Sequence, residues 1–285
     1  MDQILLDLVK VLTLERLELN LFRGESRDIG SPQVFGGQVL GQALAAASAT
    51  VENRLVHSLH AYFMRRGDCN SPIVYEVDRA RDGNHFSTRR VVAIQHGEQI
   101  FNLSASFQSE EGGIDHQQAI PAVPPPEDLP NAAHYAGMLP ADIPERLRRM
   151  LAGRRPFEFR PVLAPMYYLG QAESPPKNVW FRAIDRLPED AVLNRCLLAY
   201  VSDFNLIDTA MMQHGISLLT AKLAIASIDH AMWFHREARV DEWLLYSTDS
   251  PSASGARGFT RGSIFARDGR LVASTCQEGL IRLRD

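Results

Sequence analysis

Cysteine is scarce in this sequence of 285 residues, which contains only Cys69, Cys196 and Cys276. The three lie far apart and form neither a CxxC pair nor a spacing typical of metal ligands, so we expect no disulfide framework and no cysteine-based metal site. This usage is typical of reduced, packed thiols in a reducing compartment. Long apolar runs are also missing, and none approaches the roughly 18 residues that predict a membrane-spanning helix.

Several motifs that define enzyme classes are absent as well. There is no GxSxG nucleophile elbow, and no GxGxxG, P-loop or HExxH motif. The net charge of −4 indicates no basic surface for nucleic acid. The first residues lack the basic start and cleavage site of a signal peptide, and the ending IRLRD is no peroxisomal signal. We therefore expect a cytoplasmic protein with no cofactor or metal, and with no nucleic-acid or membrane partner.

The first half of the chain has the pattern of helices followed by a sheet. Residues 1–19 predict an amphipathic helix, and residues 37–49 are apolar almost all round, which predicts a buried helix. Gly37 and Gly41 share one face of that helix, where small residues would let a sheet approach closely despite the helix propensity lost at each glycine. Four strand-like runs follow at residues 55–64, 73–81, 85–95 and 99–108.

The second half repeats this pattern after a proline-rich interruption at residues 109–155, which contains AVPPPEDLP and the charged helical run IPERLRRMLAG. Two strand-like runs and a helix over residues 190–206 lead to four strands at about 221–234, 242–249, 257–267 and 271–283. Four matches recur at separations of 169 to 172 residues, which indicates an internal duplication. They are His60-Ala61 with His230-Ala231, Gly83 with Gly255, Gly97 with Gly269, and Gln108 with Gln277.

Three polar residues of the second half could together support water activation. Asp203 lies among apolar residues in CLLAYVSDFNL, where a buried acid is costly unless it is paired or useful. Burial raises the pKa of such a carboxyl and hydrogen-bond donors lower it, which suits a general base. Ser227 in AIASIDHAMWF and Gln277 in STCQEG are, taken singly, more typical of structural residues, and Asp203 could equally be a capped or salt-bridged core acid. An acid, a hydroxyl and an amide can hold a water only if they converge in space.

Nearly the whole chain resembles the acyl-CoA thioesterase II family. The resemblance lies in LFRGES, QVFGGQVLGQAL, HAYFMRRGD, RDGNHFSTRRV, SDFN, SIDHAMWFH, SASGARGF and VASTCQEGL. It implies hydrolysis of acyl-CoA to free fatty acid and coenzyme A, with Asp203, Ser227 and Gln277 as the catalytic residues. Bacterial members often carry threonine where this chain has Ser227, so the hydroxyl is retained and a methyl group is lost.

The resemblance also implies an α+β double-hotdog fold. Two antiparallel sheets would each wrap around a long buried helix and join into one continuous sheet, which also protects their edges. We expect an N-terminal hotdog at residues 1–110, a linker crossing the surface at 111–155, and a C-terminal hotdog at 156–285 that carries the catalytic residues. Edge strands of this kind also predict a homo-oligomer.

One active site per chain is expected, because the first helix has no acid where the second carries Asp203. The backbone N–H of Gly37, at a helix start, is a candidate donor to the oxyanion. Two other functions remain open. Asp229 and His230 could serve an acyl-CoA hydratase, and a non-catalytic acyl-CoA-binding protein is the other alternative. His230 and His235 should point to opposite faces of a strand, which disfavours a shared metal and favours core packing or a satisfied hydrogen bond.

Overall fold

The computed structural model describes residues 1–30, 33–131, 134–135 and 153–284. Its first half comprises α1 (Gln3–Leu12), β1 (Glu15–Glu18), β2 (Leu21–Gly24), α2 (Gly36–Ser48), β3 (Leu55–Phe63), β4 (Ile73–Asp82), β5 (Phe86–Gln95) and β6 (Glu98–Gln108). Its second half comprises β7 (Phe157–Pro161), β8 (Lys177–Ala183), α3 (Ala191–Ser202), α4 (Leu206–Met212), β9 (Leu223–Ser227), β10 (Asp229–Phe234), β11 (Leu244–Ser254), β12 (Arg257–Ala266) and β13 (Leu271–Leu283). Short 3-10 helices lie at Pro126–Asp128 and Met166–Leu169.

The strands form one large antiparallel sheet, as the sequence predicts. Its order is β1-β2-β4-β5-β6-β3-β10-β13-β12-β11-β8-β7, and β9 pairs separately with β13. Counted outward from the central β3–β10 pair, the two halves have the same strand order, which supports the duplication. Within the described residues, no helix is both long and apolar enough to span a membrane.

Two of the four matched repeat pairs are not structurally equivalent. His60 is exposed whereas His230 is fully buried, and they lie on opposite faces because His230 pairs with Ala61 and His60 pairs with Ala231. The inward residue near the end of β6 is Phe107, so Gln108 faces away from the core whereas Gln277 is buried. Successive residues of a strand point to opposite faces, so an error of one residue in the offset between the halves pairs side chains from opposite faces. The sequence offset therefore locates the repeat but does not identify equivalent side chains.

The glycine face of α2 packs on helix α3, and not on a sheet as the sequence analysis expected. A side chain at Gly37 would collide with the carbonyl oxygen of Tyr200, and one at Gly41 would come within 3.1 Å of the carbonyl oxygen of Cys196. Both α2 and α3 are buried along most of their length. The small residues therefore allow the central helices of the two halves to come into close contact.

The described part of the linker lies across the sheet of the second half. The Trp180 indole N–H donates to the Pro124 carbonyl oxygen at 3.0 Å, and Arg267 pairs with Glu127 at 2.6 Å. This segment also covers a second apolar cluster, formed by Trp180, Trp243, Leu245 and Phe265 and packed against Ile120, Val123 and Leu129. Most of the predicted helical run IPERLRRMLAG lies outside the described residues.

Three predicted elements differ from the observed ones. The N-terminal helix ends at Leu12, and β1 (Glu15–Glu18) occupies most of the rest of its predicted range. The predicted helix over residues 190–206 ends at Ser202, because Asn205 has a left-handed backbone with φ of 71° before α4 begins. The predicted strand over 221–234 is interrupted at Ile228, whose N–H donates to Glu278 and whose carbonyl accepts from Phe63, each at 2.9 Å.

We expect Gly37→Ala to destabilise the protein. Alanine gains about 1 kcal/mol of helix propensity over glycine. The added methyl must displace the Tyr200 carbonyl, however, and overpacking a close contact costs about 1–3 kcal/mol, so we expect a lower free energy of unfolding in urea. Gly112→Ala is the control, because a side chain there meets no atom within 4 Å. Equal or higher stability of Gly37→Ala would contradict the close helix contact.

Candidate active site

The Asp203 carboxyl group lies at the junction between the two central helices. Asp203 is the residue directly after α3, and its side chain is only 4% exposed. The first turn of α2 lies beside it, since a side chain on Gly36 would come within 2.7 Å of Asp203 Oδ2. A helix N-terminus favours negative charge, so the start of α2 stabilises an ionised carboxylate here.

Three donors converge on this carboxyl group. The Gln277 amide Nε2 donates to Asp203 Oδ1 at 2.6 Å, and the Ser227 hydroxyl donates to the same oxygen at 3.4 Å. The backbone N–H of Gly37 is the third donor. Burial raises the pKa of Asp203 above its ordinary value, while the hydrogen bonds from Gln277, Gly37 and Ser227 oppose that rise. The structure thus brings the three sequence-predicted residues together, around a carboxyl group with an elevated pKa.

Strand pairing explains why Ser227 and Gln277 are neighbours. Ser227 is the last residue of β9 and pairs with Gly279 of β13. Gln277 lies two residues earlier on β13 and therefore faces the same side of the strand. Its side chain points into the core, where Gln277 is 1% exposed.

The position of Gly37 adds a constraint to its predicted role. Its N–H donates to Asp203, so an oxyanion stabilised by this N–H would share the donor with the carboxylate. The assignment of Gly37 as an oxyanion donor stays a prediction.

His230 is a buried neighbour of the carboxyl group, and the sequence predicts core packing or a satisfied hydrogen bond for it. Its Nδ1 lies 4.0 Å from Asp203 Oδ1 and 3.5 Å from the Gln277 amide nitrogen. Its Nε2 lies 3.0 Å from the Ser202 hydroxyl. Burial lowers the pKa of His230 to about 3, so the ring is neutral at physiological pH. The only sequence signal was a histidine inside a strongly apolar strand.

The Asp229 and His230 side chains do not form a pair. Asp229 Oδ1 accepts the backbone N–H of Glu278 at 2.7 Å, whereas His230 faces Ser202 and Gln277. The arrangement therefore gives no support to an Asp229–His230 hydratase pair. His235 contacts the Ser274 hydroxyl at 2.8 Å. In the part of the chain that the structure describes, no three His, Cys, Asp or Glu side chains are grouped as a metal site.

Two cavities meet beside Asp203. The first cavity has a volume of about 520 Å³, and Asp203 lies in its wall. The second has a volume of about 200 Å³, and Arg65 and Arg66 lie in its wall. Five residues line both cavities: Gln33, Val34, Gly36, Ala226 and Ser227. A ligand lying across this shared wall would pass the carboxyl group with one part in each cavity.

The corresponding polar residues of the first half are used structurally. The Gln42 amide of α2 donates to the carbonyl oxygens of Val11 and Glu25 at 2.7 and 2.8 Å, and it accepts from Tyr75 at 2.7 Å. Phe107 occupies the inward position near the end of β6. These contacts support the interpretation of one site per chain.

Sequence comparisons agree with this architecture. Residues 147–280 match a family described as "Acyl-CoA thioesterase", and residues 23–108 match one described as "Acyl-CoA thioesterase N-terminal domain". Acyl-CoA thioesterase 2 of Haemophilus influenzae is 42% identical over 286 residues, which cover 100% of both chains. Human acyl-coenzyme A thioesterase 8 is 40% identical over 288 residues, which cover 96% of this chain and 88% of that protein.

Solved structures show the same fold. The acyl-CoA thioesterase II TesB2 from Mycobacterium marinum aligns with a TM-score of 0.79 and 44% identity, covering 98% of this chain and 99% of that chain. A protein with a hot dog fold from Alicyclobacillus acidocaldarius aligns with a TM-score of 0.75 and 20% identity, covering 98% and 99%. The second likeness concerns the fold alone.

Proposed function

This chain belongs to the acyl-CoA thioesterase family, and we propose that it hydrolyses acyl-CoA thioesters to free fatty acid and coenzyme A with a water held by Asp203, Ser227 and Gln277. The observation that carries the proposal is the buried Asp203 carboxyl group with its three hydrogen-bond donors. A general base works best when its pKa lies near the working pH. Burial moves the pKa of Asp203 in that direction.

The proposed reaction needs no covalent enzyme intermediate. Asp203 accepts a proton from the water while the water oxygen attacks the thioester carbonyl carbon. The resulting tetrahedral oxyanion collapses, the carbon–sulfur bond breaks, and the thiolate of coenzyme A leaves. Thiolates are good leaving groups, so protonation of the leaving group matters less here than in amide hydrolysis.

The donor shared between Asp203 and the oxyanion is part of the proposal. Negative charge moves from the Asp203 carboxylate to the carbonyl oxygen as the water loses its proton. The Gly37 N–H, which already donates to Asp203, then has the developing oxyanion as a stronger acceptor. Removing an oxyanion donor typically costs about 10²–10³ in rate.

The two cavities suggest how the substrate lies. The larger one, of about 520 Å³, offers room for an acyl group, and its wall also contains Arg27, Arg154 and Arg155. The smaller one has Arg65 and Arg66 in its wall. Arg65 pairs with Glu98 at 2.9 Å. Within the described residues Arg66 has no ion pair, and it is exposed, so its guanidinium group is available to a phosphate of coenzyme A.

We further propose that the two halves are two hotdogs, at residues 1–110 and 156–285, joined by the linker 111–155. The two halves have the same strand order, which supports this division. Each half also contains one largely buried helix, α2 in the first and α3 in the second. A cytoplasmic location remains a prediction.

A homo-oligomer is also proposed, because β1 and β7 lie at the two ends of the strand order and can pair further. Light scattering on the purified chain should give a mass of at least twice the 31.8 kDa of one chain. A monomer mass at micromolar concentration would remove this proposal and leave the catalytic one intact.

Asp203→Asn should lower the rate of thiol release from acyl-CoA at least about a hundredfold, the usual scale for loss of a general base. Ser227→Ala and Gln277→Ala should also lower turnover. Thiol release would be followed across acyl-chain lengths for each variant and the wild type, with thermal unfolding to confirm that the variants fold.

Asp229→Asn is the matched control, because this carboxyl group lies one residue from His230 yet faces the Glu278 backbone. Near-normal turnover of Asp203→Asn would exclude Asp203 as the base. An acyl-enzyme seen by intact mass would instead make Ser227 a nucleophile. Addition of water to enoyl-CoA without thiol release would support a hydratase. Tight binding of acyl-CoA without turnover would support a binding protein.

Arg66→Ala should raise the KM for acyl-CoA roughly three- to tenfold, since an exposed ion pair contributes little more than about 1 kcal/mol. The KM for an acyl-pantetheine without phosphates should not change, and kcat should be kept for both. Arg90→Ala serves as the control, because Arg90 is exposed on β5 and lines neither cavity. An equal rise in KM for both substrates would place the phosphates elsewhere.

A further inference from the structure

The protonation state of the His230 ring follows from its hydrogen bonds. The Ser202 hydroxyl has one proton, which it donates to the Ala199 carbonyl oxygen at 2.9 Å. We therefore assign the ring proton of His230 to Nε2, which lies 3.0 Å from Ser202 Oγ and donates to it. Since His230 is fully buried and its pKa is lowered to about 3, Nδ1 has no proton at physiological pH.

This bare nitrogen determines which way the Gln277 amide points. The two amide protons have two acceptors, Asp203 Oδ1 at 2.6 Å and His230 Nδ1 at 3.5 Å. If the amide were rotated by 180°, its oxygen would face both of these acceptors and would be repelled by each. Together, Asp203 and His230 thus permit only one orientation.

The same orientation fixes the position of the Gln277 amide oxygen. Within the described residues, Gln277 Oε1 is buried and has no hydrogen-bond partner. Because the NH₂ group faces Asp203 and His230 at the same time, Oε1 is the atom of this amide that can accept a hydrogen bond from the proposed water.

We propose that His230 is a positioning residue for the proposed hydrolysis: its Nδ1 holds the Gln277 amide with the NH₂ group toward Asp203, which keeps that carboxyl group ionised as the base. The inference rests on the proposed role of Asp203. A donor to the charged form lowers the pKa of an acid, and an oxygen in the same place would raise it. His230 therefore acts on the reaction through Gln277 and touches no substrate.

Two phenols that interact with the charge of Asp203 do not titrate in the relevant pH range. Tyr200 of α3 and Tyr246 of β11 lie close enough to interact with its charge. Burial raises the pKa of Tyr200 to about 12 and raises that of Tyr246 as well, so both phenols stay neutral. Within the described residues, hydrogen-bond donors rather than a cation oppose the effect of burial on Asp203.

The test is the pH dependence of kcat for His230→Gln and His230→Asn. Asparagine can place its amide oxygen near the position of Nδ1 and so keep the acceptor for Gln277. Glutamine reaches the position of Nε2 and leaves Gln277 without that acceptor. We expect the acid limb of His230→Gln to move up by about one pH unit, which lowers kcat about tenfold below the limb. KM and the high-pH plateau should stay close to the wild type, and His230→Asn should restore the wild-type limb.

Ser202→Ala gives a second, smaller change in case a His230 variant does not fold. It removes the acceptor that holds the proton on Nε2, so the acid limb should move in the same direction as in His230→Gln. An acid limb identical to the wild type in folded His230→Gln and Ser202→Ala would overturn the inference. An equal loss of kcat at every pH in both His230 variants would also overturn it and would leave His230 as a packing residue.

Failure of this inference can be told apart from failure of the proposed function. Near-normal turnover of Asp203→Asn would remove the base itself, and with it any role for His230. An inactive Asp203→Asn together with unchanged acid limbs in the His230 and Ser202 variants would remove only the positioning role.

Discussion

The burial of one carboxyl group constrains the centre of this molecule. An ionised carboxylate removed from water costs several kcal/mol unless donors replace its hydration. The donors to Asp203 come from three distant places, the start of α2, the end of β9 and the middle of β13. The carboxylate therefore has all three donors only when the two halves of the chain have docked. The close contact of α2 with α3 through Gly37 and Gly41 is what brings the first of these donors within reach.

Among the described residues, neutral donors rather than cations adjust the acidity of Asp203, which makes its pKa sensitive to geometry. A nearby cation would stabilise the carboxylate whatever its precise orientation, whereas an amide stabilises it only with its NH₂ group turned inward. The NH₂ group of Gln277 faces Asp203, and His230 and Ser202 continue the same chain of hydrogen bonds. Within the described residues, this orientation leaves the Gln277 amide oxygen without a protein partner.

Much of the fold could be predicted from local pattern. The strands β3 to β6 were expected within one or two residues of their observed bounds, because alternating apolar residues follow the two-residue period of a half-buried strand. Other features depend on tertiary contacts that no local pattern reports. The end of α3 is set by the left-handed backbone of Asn205, and the break at Ile228 is set by pairing with two different strands. The nearness of Ser227 to Gln277 follows from the β9–β13 register, and a buried histidine such as His230 resembles any other core residue in sequence.

The duplication explains why a single site can draw on both halves. The halves keep the same strand order, but the residues of the first half no longer match those around Asp203. Phe107 occupies the inward end of β6, and Gln42 holds the backbone of the N-terminal segment. The first half instead supplies a helix N-terminus, whose free N–H groups and positive end suit the carboxylate that the second half presents. Since α3 ends where α2 begins, an acid at the end of one helix meets the donor end of the other. A second, equivalent site in the other half would need an acid at the end of α2, where the chain has Ser48 and Ala49.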